Sequence, residues 1–512
     1  MVHTAYFWPR TIRTRLISVL HRCRCTRRLV SMSRAQFSTF DSVRQIWTGL
    51  GLPENALSHL ELNGNDGVAV SSSFKIGHLA QSSIACSGLV AAFICAHRQT
   101  DPISDVSVSR DHAVIEFHSE HLYQLDGQKS QPPWGTIGGI HETEDGYVRV
   151  HDSFPHHREA ALKLVGCETS ASKQQFAEKL KSHTAQDLED RAVSAGAVVF
   201  KLRSFAEWDL TPQARAIKDF PIAISKISDS DSYAAPISAR NAKCLSGIRV
   251  LELSRVIAAP VAGRTLAAHG ADVLWITSPN LPALPDLDID TSRGKRTAQL
   301  DMDNQEDMNK LIELISDADV VLQSYRPDSL AKRGLSLQQI QQRRKDKRPL
   351  VWANLSAWGT DGPWADRRGF DSIVQTASGM NQSEAEHFGD GSAARPMPCQ
   401  ALDHGAGYFL ATGIMTALYR QMTEGGSYRV DVSLAGVMKY LRSLGQYNGR
   451  TGFDHRLYKQ SADVPVELRE TRKCAFGELE AVRHATQIAG IEVGWNIMPK
   501  PLGSDDAVWL PR

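Results

Sequence analysis

The chain has 512 residues, with 58 Lys+Arg against 57 Asp+Glu, 42% hydrophobic and 22% charged residues. Domains of about 100–200 residues give two to four units, with material for real cores. A net charge of +1 offers no global attraction to nucleic acid or to an anionic membrane surface. No run of about 18 apolar residues points to a membrane span. The 8 cysteines are scattered, and the one close pair, Cys23-x-Cys25, lacks a partner pair and zinc-ligand spacing. This usage argues against a disulfide framework and a bound metal, and for a soluble chain in a reducing intracellular compartment.

Residues 1–40 hold eight arginines, no lysine and no acid. Ile12, Leu16, Val19, Leu20 and Cys23 share one face of a helix. Arginine-rich, acid-poor and amphipathic is the composition of a mitochondrial presequence. An unstructured tail, or a start at Met32 giving a cytoplasmic protein, is the alternative. Next, Ala80 to Ala96 predicts a buried helix, and Asp105 to Phe117 alternates like a strand. Gly146 to Val150 predicts a second strand, followed by two helical patterns. Ser228 to Ser238, rich in Ser, Asp and Ala, reads as a linker.

From residue 247 onward the pattern is regular. Ile248 to Leu253 predicts a strand, Pro260 to Ala268 a helix closed by Gly270, and Ala271 to Ile276 a strand. A strand through Ala298 to Met302 precedes a helix with Met308, Leu311, Ile312 and Ile315 at helical spacing. Val320–Gln323 and Leu350 to Leu355 are further strands. Alternation of this kind predicts an α/β fold with a doubly wound parallel sheet and helices on both faces. The turn after the first strand, Ser254 to Pro260, has no glycine before Gly263. That excludes the glycine-rich approach to a pyrophosphate on which a standard NAD site depends.

Two segments also resemble each other. Gly88 to Phe93, followed by His97-Arg98-Gln99-Thr100, matches Gly413 to Leu418, followed by Tyr419-Arg420-Gln421-Met422-Thr423. Val106-Ser107-Val108-Ser109 then lies at almost the same offset as Val430-Asp431-Val432-Ser433. Matched elements at matched spacing indicate an internal repeat.

Seven stretches in order carry a resemblance to a known family. They are Gly247 to Pro260; Gly270-Ala-Asp-Val273; Arg293-Gly-Lys-Arg296 with Leu300-Asp301; Ala318 to Leu322 with Tyr325-Arg326-Pro327; Gly359 to Pro363; Gly369-Phe-Asp371; and Ala401-Leu-Asp403. Together they resemble the class III coenzyme A transferases of the CaiB/BaiF type. The resemblance implies a Rossmann-like large domain and a smaller α+β domain. The smaller domain resembles the segment from Gly139-Ile140 through Glu144 to Val148 and on to Ala195 to Val198. Residues 1–40 are then a leader, 41–235 a worn partial copy including the small-domain segment, and 241–512 the catalytic large domain with a tail. The family's interlocked dimers imply a homodimer.

The implied activity moves coenzyme A between two carboxylic acids. A carboxylate attacks the thioester carbonyl and forms a mixed anhydride as the CoA thiolate leaves. The family's nucleophilic Asp falls on Asp403. An Asp there also suits a helix N-cap, and a helix N-terminus would keep it ionised. Ten residues before Gly88, the matching position of the first copy holds His78, so the chain has one active centre. By resemblance, Val256, Ile257 and Ala258 line the nucleotide, and Arg293, Lys295, Arg296, Arg326 and Arg333 are candidate phosphate contacts. Asp371 is expected to orient the acyl group or a loop. The partners are an acyl-CoA and a carboxylic acid acceptor, with the CoA thioester as substrate and no tightly held cofactor. A racemase branch needs an imidazole where this chain has Phe370, and His404 beside Asp403 is the alternative proton carrier. A CoA-dependent lyase or hydrolase, or a non-catalytic CoA-binding protein, are the remaining readings. No run of three glycines exists, so the glycine flap of the formate and oxalate transferases is missing and their substrate preference does not carry over.

Overall fold

A computed structural model describes residues 33–235, 243–326, 329–344 and 348–512. The arginine-rich leader up to residue 32, the Cys23/Cys25 pair, Pro327 and the linker residues 236–242 lie outside the described residues.

A seven-stranded sheet organises the second half. Its strands run, side by side, Arg296–Gln299, Asp272–Thr277, Arg249–Leu253, Val320–Gln323, Val351–Ser356, Ser427–Ser433 and Ile222–Ser228. The first six are parallel and the last is antiparallel. Central strands such as Arg249–Leu253 and Val320–Gln323 are almost wholly buried, as expected where helices cover both faces of a parallel sheet. The strand order reverses between Arg249–Leu253 and Val320–Gln323, which opens a crevice at their carboxyl ends. The α/β doubly wound expectation holds.

The helices Ile76–Gln99 and Ala401–Glu424 have 24 residues each and are buried nearly all round. They pack against each other in the centre of the molecule, and one hydrophobic core runs through both halves. Ile76–Gln99 is long and apolar enough to cross a membrane by composition, but 89% of its most apolar window is buried inside the protein. Each long helix leads into a strand and then a second helix, Val106–Ser109 with Arg110–Glu116 and Ser427–Ser433 with Leu434–Ser443. Each of those strands has one parallel and one antiparallel neighbour: Leu60–Asn63 and Thr486–Ile488 for the first, Val351–Ser356 and Ile222–Ser228 for the second.

Two expectations change. The predicted strand from Asp105 to Phe117 stops at Ser109, and Arg110–Glu116 is a helix. All residues of that helix except Asp111 are buried, so its apolar spacing does not reveal its period. The division at 235/241 also cuts across the folded units. Ile222–Ser228 closes the edge of the second half's sheet, and Thr486–Ile488 closes the edge of the first half's. An uncovered edge strand leaves free N–H and C=O groups, and here each half covers the other's edge.

A small domain stands apart with its own core, including Ile137, Val148, Leu162 and Phe176. Its antiparallel strands Gly139–Glu142, Tyr147–Val150 and Val199–Lys201 carry the helices Pro155–Leu164, Lys173–Leu180 and Ala185–Ala195. This is the predicted smaller α+β unit. Its strands and the loop after Val150 pack over the helix Asp371–Ala377 and Phe370 of the large domain.

Candidate active site

The switch-point crevice is a cleft of about 450 Å³. Val256, Ile257 and Ala258 form one wall at the turn between strand Arg249–Leu253 and helix Ala258–Ala268. Val256 takes a φ of 74°, a conformation that β-branched residues rarely adopt, so local strain is stored at this turn. Helix Ala258–Ala268 lies against Ala401–Glu424. A Cβ at Gly407 would stand 2.6 Å from the Ala258 carbonyl oxygen and 2.7 Å from Val261. Only glycine permits this approach, which ties the 256–258 turn to the helix carrying Asp403.

Asp403 occupies the third position of its helix, after Gln400, whose side chain makes no capping bond. The cap comes from elsewhere. Oδ2 of Asp371 accepts the N–H of Leu402 at 2.8 Å and of Asp403 at 3.0 Å, while its other oxygen accepts from Gln375. Asp371 is therefore buried at the start of the helix that carries Asp403 and is not a lining residue of the cleft. Asp403 lines the cleft and is 8% exposed. Burial, with the neighbouring carboxylates of Asp371 and Glu120, raises its carboxyl well above the ordinary range, against the pull of the helix N-terminus. Asp403 is thus not the N-cap that its sequence position allowed.

The cationic expectations divide. Arg326 and Arg333 line the cleft, with Arg333 also 3.1 Å from Asp303. Arg293, Lys295 and Arg296 do not line it. Arg293 is fully buried against Asp290, the Val482 carbonyl and the Trp495 ring. Lys295 donates to Glu252 and to the Pro260 carbonyl, both at 2.8 Å. Arg296 grips Asp272 with two nitrogens. The Arg-Gly-Lys-Arg run meets acids of neighbouring elements, which its spacing does not reveal, and its charges are spent there. His404 also turns away from the cleft: its Nε2 lies 2.8 Å from Glu120 and its ring stacks on Phe117. His78 is buried and bonds the Phe37 carbonyl at 3.1 Å.

Several lining residues escaped sequence reasoning. Arg255 sits in the turn before Val256, its guanidinium 4.4 Å from the Phe154 ring. Arg367 and Arg368 directly precede Gly369-Phe370-Asp371, a basic pair beside a motif that should have drawn notice. Phe154, His156 and His157 enter from the small domain, and their signal was the histidine-rich run from His151 to His157. Arg255, Arg326 and Arg368 give the cleft an anion-binding character, while Phe370, Leu355, Ala357 and Leu434 add apolar wall.

Comparison with known proteins gives this geometry its family. A sequence model of CoA-transferase family III matches residues 245–456. A CaiB/baiF CoA-transferase family protein of Caenorhabditis elegans is 33% identical over 246 residues, covering 46% of this chain and 69% of that protein. The chain belongs to the CaiB/baiF, or family III, CoA-transferases. An acyl-CoA transferase of Gibberella moniliformis is 29% identical over 339 residues, 63% of this chain and 59% of that protein. An acetyl-coenzyme A transferase, nodX, of Hypoxylon pulicicidum is 27% identical over 441 residues, 76% of this chain and 72% of that protein. The chain thus spans 59% of the first of these two proteins and 72% of the second.

Proposed function

We propose that this chain is an acyl-CoA:carboxylate CoA-transferase with Asp403 as its nucleophile. One observation carries the reading. Three carboxylates line the cleft, and two of them are engaged: Asp301 by Asn280, Asp303 by Arg333. Among the described residues, the Asp403 carboxylate has no hydrogen-bond or ion-pair partner. It lies in the first turn of a buried helix whose Leu402 and Asp403 amides are held by Asp371.

The chemistry follows. An Asp403 oxygen attacks the thioester carbonyl, a C–O bond forms, the C–S bond breaks and CoA leaves as thiolate. The thiolate then attacks the aspartyl carbonyl of the mixed anhydride, releasing the donor acid and leaving CoA on Asp403 as a thioester. The acceptor carboxylate attacks that thioester and the steps reverse. The apolar walls of the cleft serve the acyl group, and Arg255, Arg326 and Arg368 serve the negative charges of CoA and of the two carboxylic acids. The two long packed helices are matched elements of a duplicated chain, and one chain carries one centre.

Mass spectrometry of the protein incubated with a panel of acyl-CoAs tests this. The expected result is one acyl or CoA adduct per chain on Asp403, lost in Asp403→Asn. Full turnover by Asp403→Asn would refute the proposal.

A further inference from the structure

Buried imidazoles in this protein are generally satisfied. His112 bonds the Arg483 carbonyl, His118 that of Val114 and His141 that of Ile137, while His404 and His484 meet Glu120 and Glu116. Such groups are nearly always paired in folded proteins, and exceptions call for an explanation. Both nitrogens of His269 are enclosed and partnerless, but it does not line the cleft. The other exceptions are His151 and His157, from the loop that follows small-domain strand Tyr147–Val150. In each, Nδ1 is buried without a partner, and Nε2 bonds to none of the described residues.

Both rings pack on Phe370. His151 stacks on it at 3.7 Å and 7°, and His157 meets it edge-on at 5.9 Å and 71°. Phe370 precedes Asp371, whose carboxylate holds the Asp403 amide at 3.0 Å. His157 is 5% exposed and lines the same cleft as Asp403. Phe370 itself carries no imidazole, but another segment packs two against its ring. Burial, with His156, Arg368, Arg255 and Arg326 facing the ring, holds the imidazolium down to about 3. The ring is therefore neutral at pH 7.

We propose that His157 is a further catalytic residue, its Nε2–H hydrogen-bonding the thioester carbonyl oxygen while Asp403 attacks the carbon. The inference rests on Asp403 being the nucleophile. As the C–O bond forms, the carbonyl π pair moves onto oxygen and is met by this donor. Collapse restores the carbonyl and expels CoA thiolate, and His157 keeps its proton throughout. Preorganised donors aimed at a developing oxyanion are among the larger contributions to catalysis. This loop of the small domain would then take the place of the absent glycine flap.

The test is the single-turnover rate of adduct formation on Asp403, read by quenched-flow mass spectrometry with acetyl-, succinyl- and benzoyl-CoA. His157→Ala should slow it about 100-fold while CoA affinity stays within about threefold. His157→Gln, which keeps an N–H donor, should recover part of the loss. Equal unfolding midpoints for the variants exclude misfolding as the cause. A wild-type rate in His157→Ala, or a loss accounted for entirely by weaker CoA binding, overturns this inference and leaves the Asp403 reading intact. No adduct in the wild-type protein with any of the three overturns both.

Discussion

Asp371 accepts the backbone N–H of Asp403 at 3.0 Å, so one buried carboxylate caps the helix that presents the other. Two like charges held this close compete for ionisation. Burial pushes the Asp371 carboxyl up to about 6 from an ordinary 3.8, while its hydrogen bonds from Asp403, Gln375 and Leu402 oppose the rise. A raised folded-state value means stability that is full below pH 3.8 and is lost as pH rises through about 6. Asparagine cannot ionise. The stability of Asp371→Asn relative to wild type should therefore improve between pH 4 and pH 7, measured by chemical denaturation. A pH-independent difference would count against the strained pair.

The cations separate into two groups with different phenotypes. Lys295→Met leaves Glu252 buried without its partner, which should cost about 3–5 kcal/mol of stability. CoA affinity of the folded fraction should stay unchanged. Arg326 is exposed beside the cleft, so Arg326→Ala should weaken CoA binding, flatten its salt dependence and leave stability within about 0.5 kcal/mol. Calorimetry with CoA at two ionic strengths, alongside denaturant melts, distinguishes these outcomes. Loss of CoA binding in Lys295→Met without loss of stability would contradict this division.

Glu120 belongs to the first half and bonds His404 of the second at 2.8 Å. Burial opposes its charge, but the imidazoles of His404 and His121 outweigh it and pull the carboxyl down to about 2 from 4.5. Its stabilising contribution is therefore present above pH 4.5 and is lost as pH falls toward 2. Glu120→Gln should be markedly less stable than wild type at pH 7, and the gap should close on acidification. A gap of constant size between pH 6 and pH 3 would rule out the ionised Glu120 carboxylate as the link between the halves.

At Gly407 the two helices behind the cleft come into contact through backbone. Gly407→Ala should cost about 1–3 kcal/mol through overpacking, with slower acylation because Asp403 and the 256–258 turn shift together. Denaturant melts and the adduct assay report the two effects separately. A stable variant with normal acylation would mean that the contact can relax.

The parallel sheet was legible because its strands are short apolar runs separated by helical spacing and turn residues. Helix Gln305–Asp317 showed itself through Leu311 and Ile315, and the Asp403 position through its motif. Other features depend on distance in space. Nothing near Arg293 in the chain signals that Trp495 and Val482 will enclose it, and nothing near Phe370 signals His151. The exchange of strands Ile222–Ser228 and Thr486–Ile488 was likewise hidden, because each is a plain β pattern whose partner lies over 200 residues away. Asp371 stands out by its motif, but the cap it supplies to another helix leaves no trace in local sequence.

The two packed 24-residue helices, Ile76–Gln99 and Ala401–Glu424, have a consequence for how such a protein can change over time. In a dimer of identical subunits every substitution is made twice, so neither partner can specialise without the other. Here the two stretches are encoded separately and meet in a single polypeptide. A histidine can settle at position 78 while an aspartate is kept at position 403. The small domain can likewise acquire a histidine-rich loop for one cleft without presenting it to a second. Asymmetry between the two stretches is therefore heritable in this architecture.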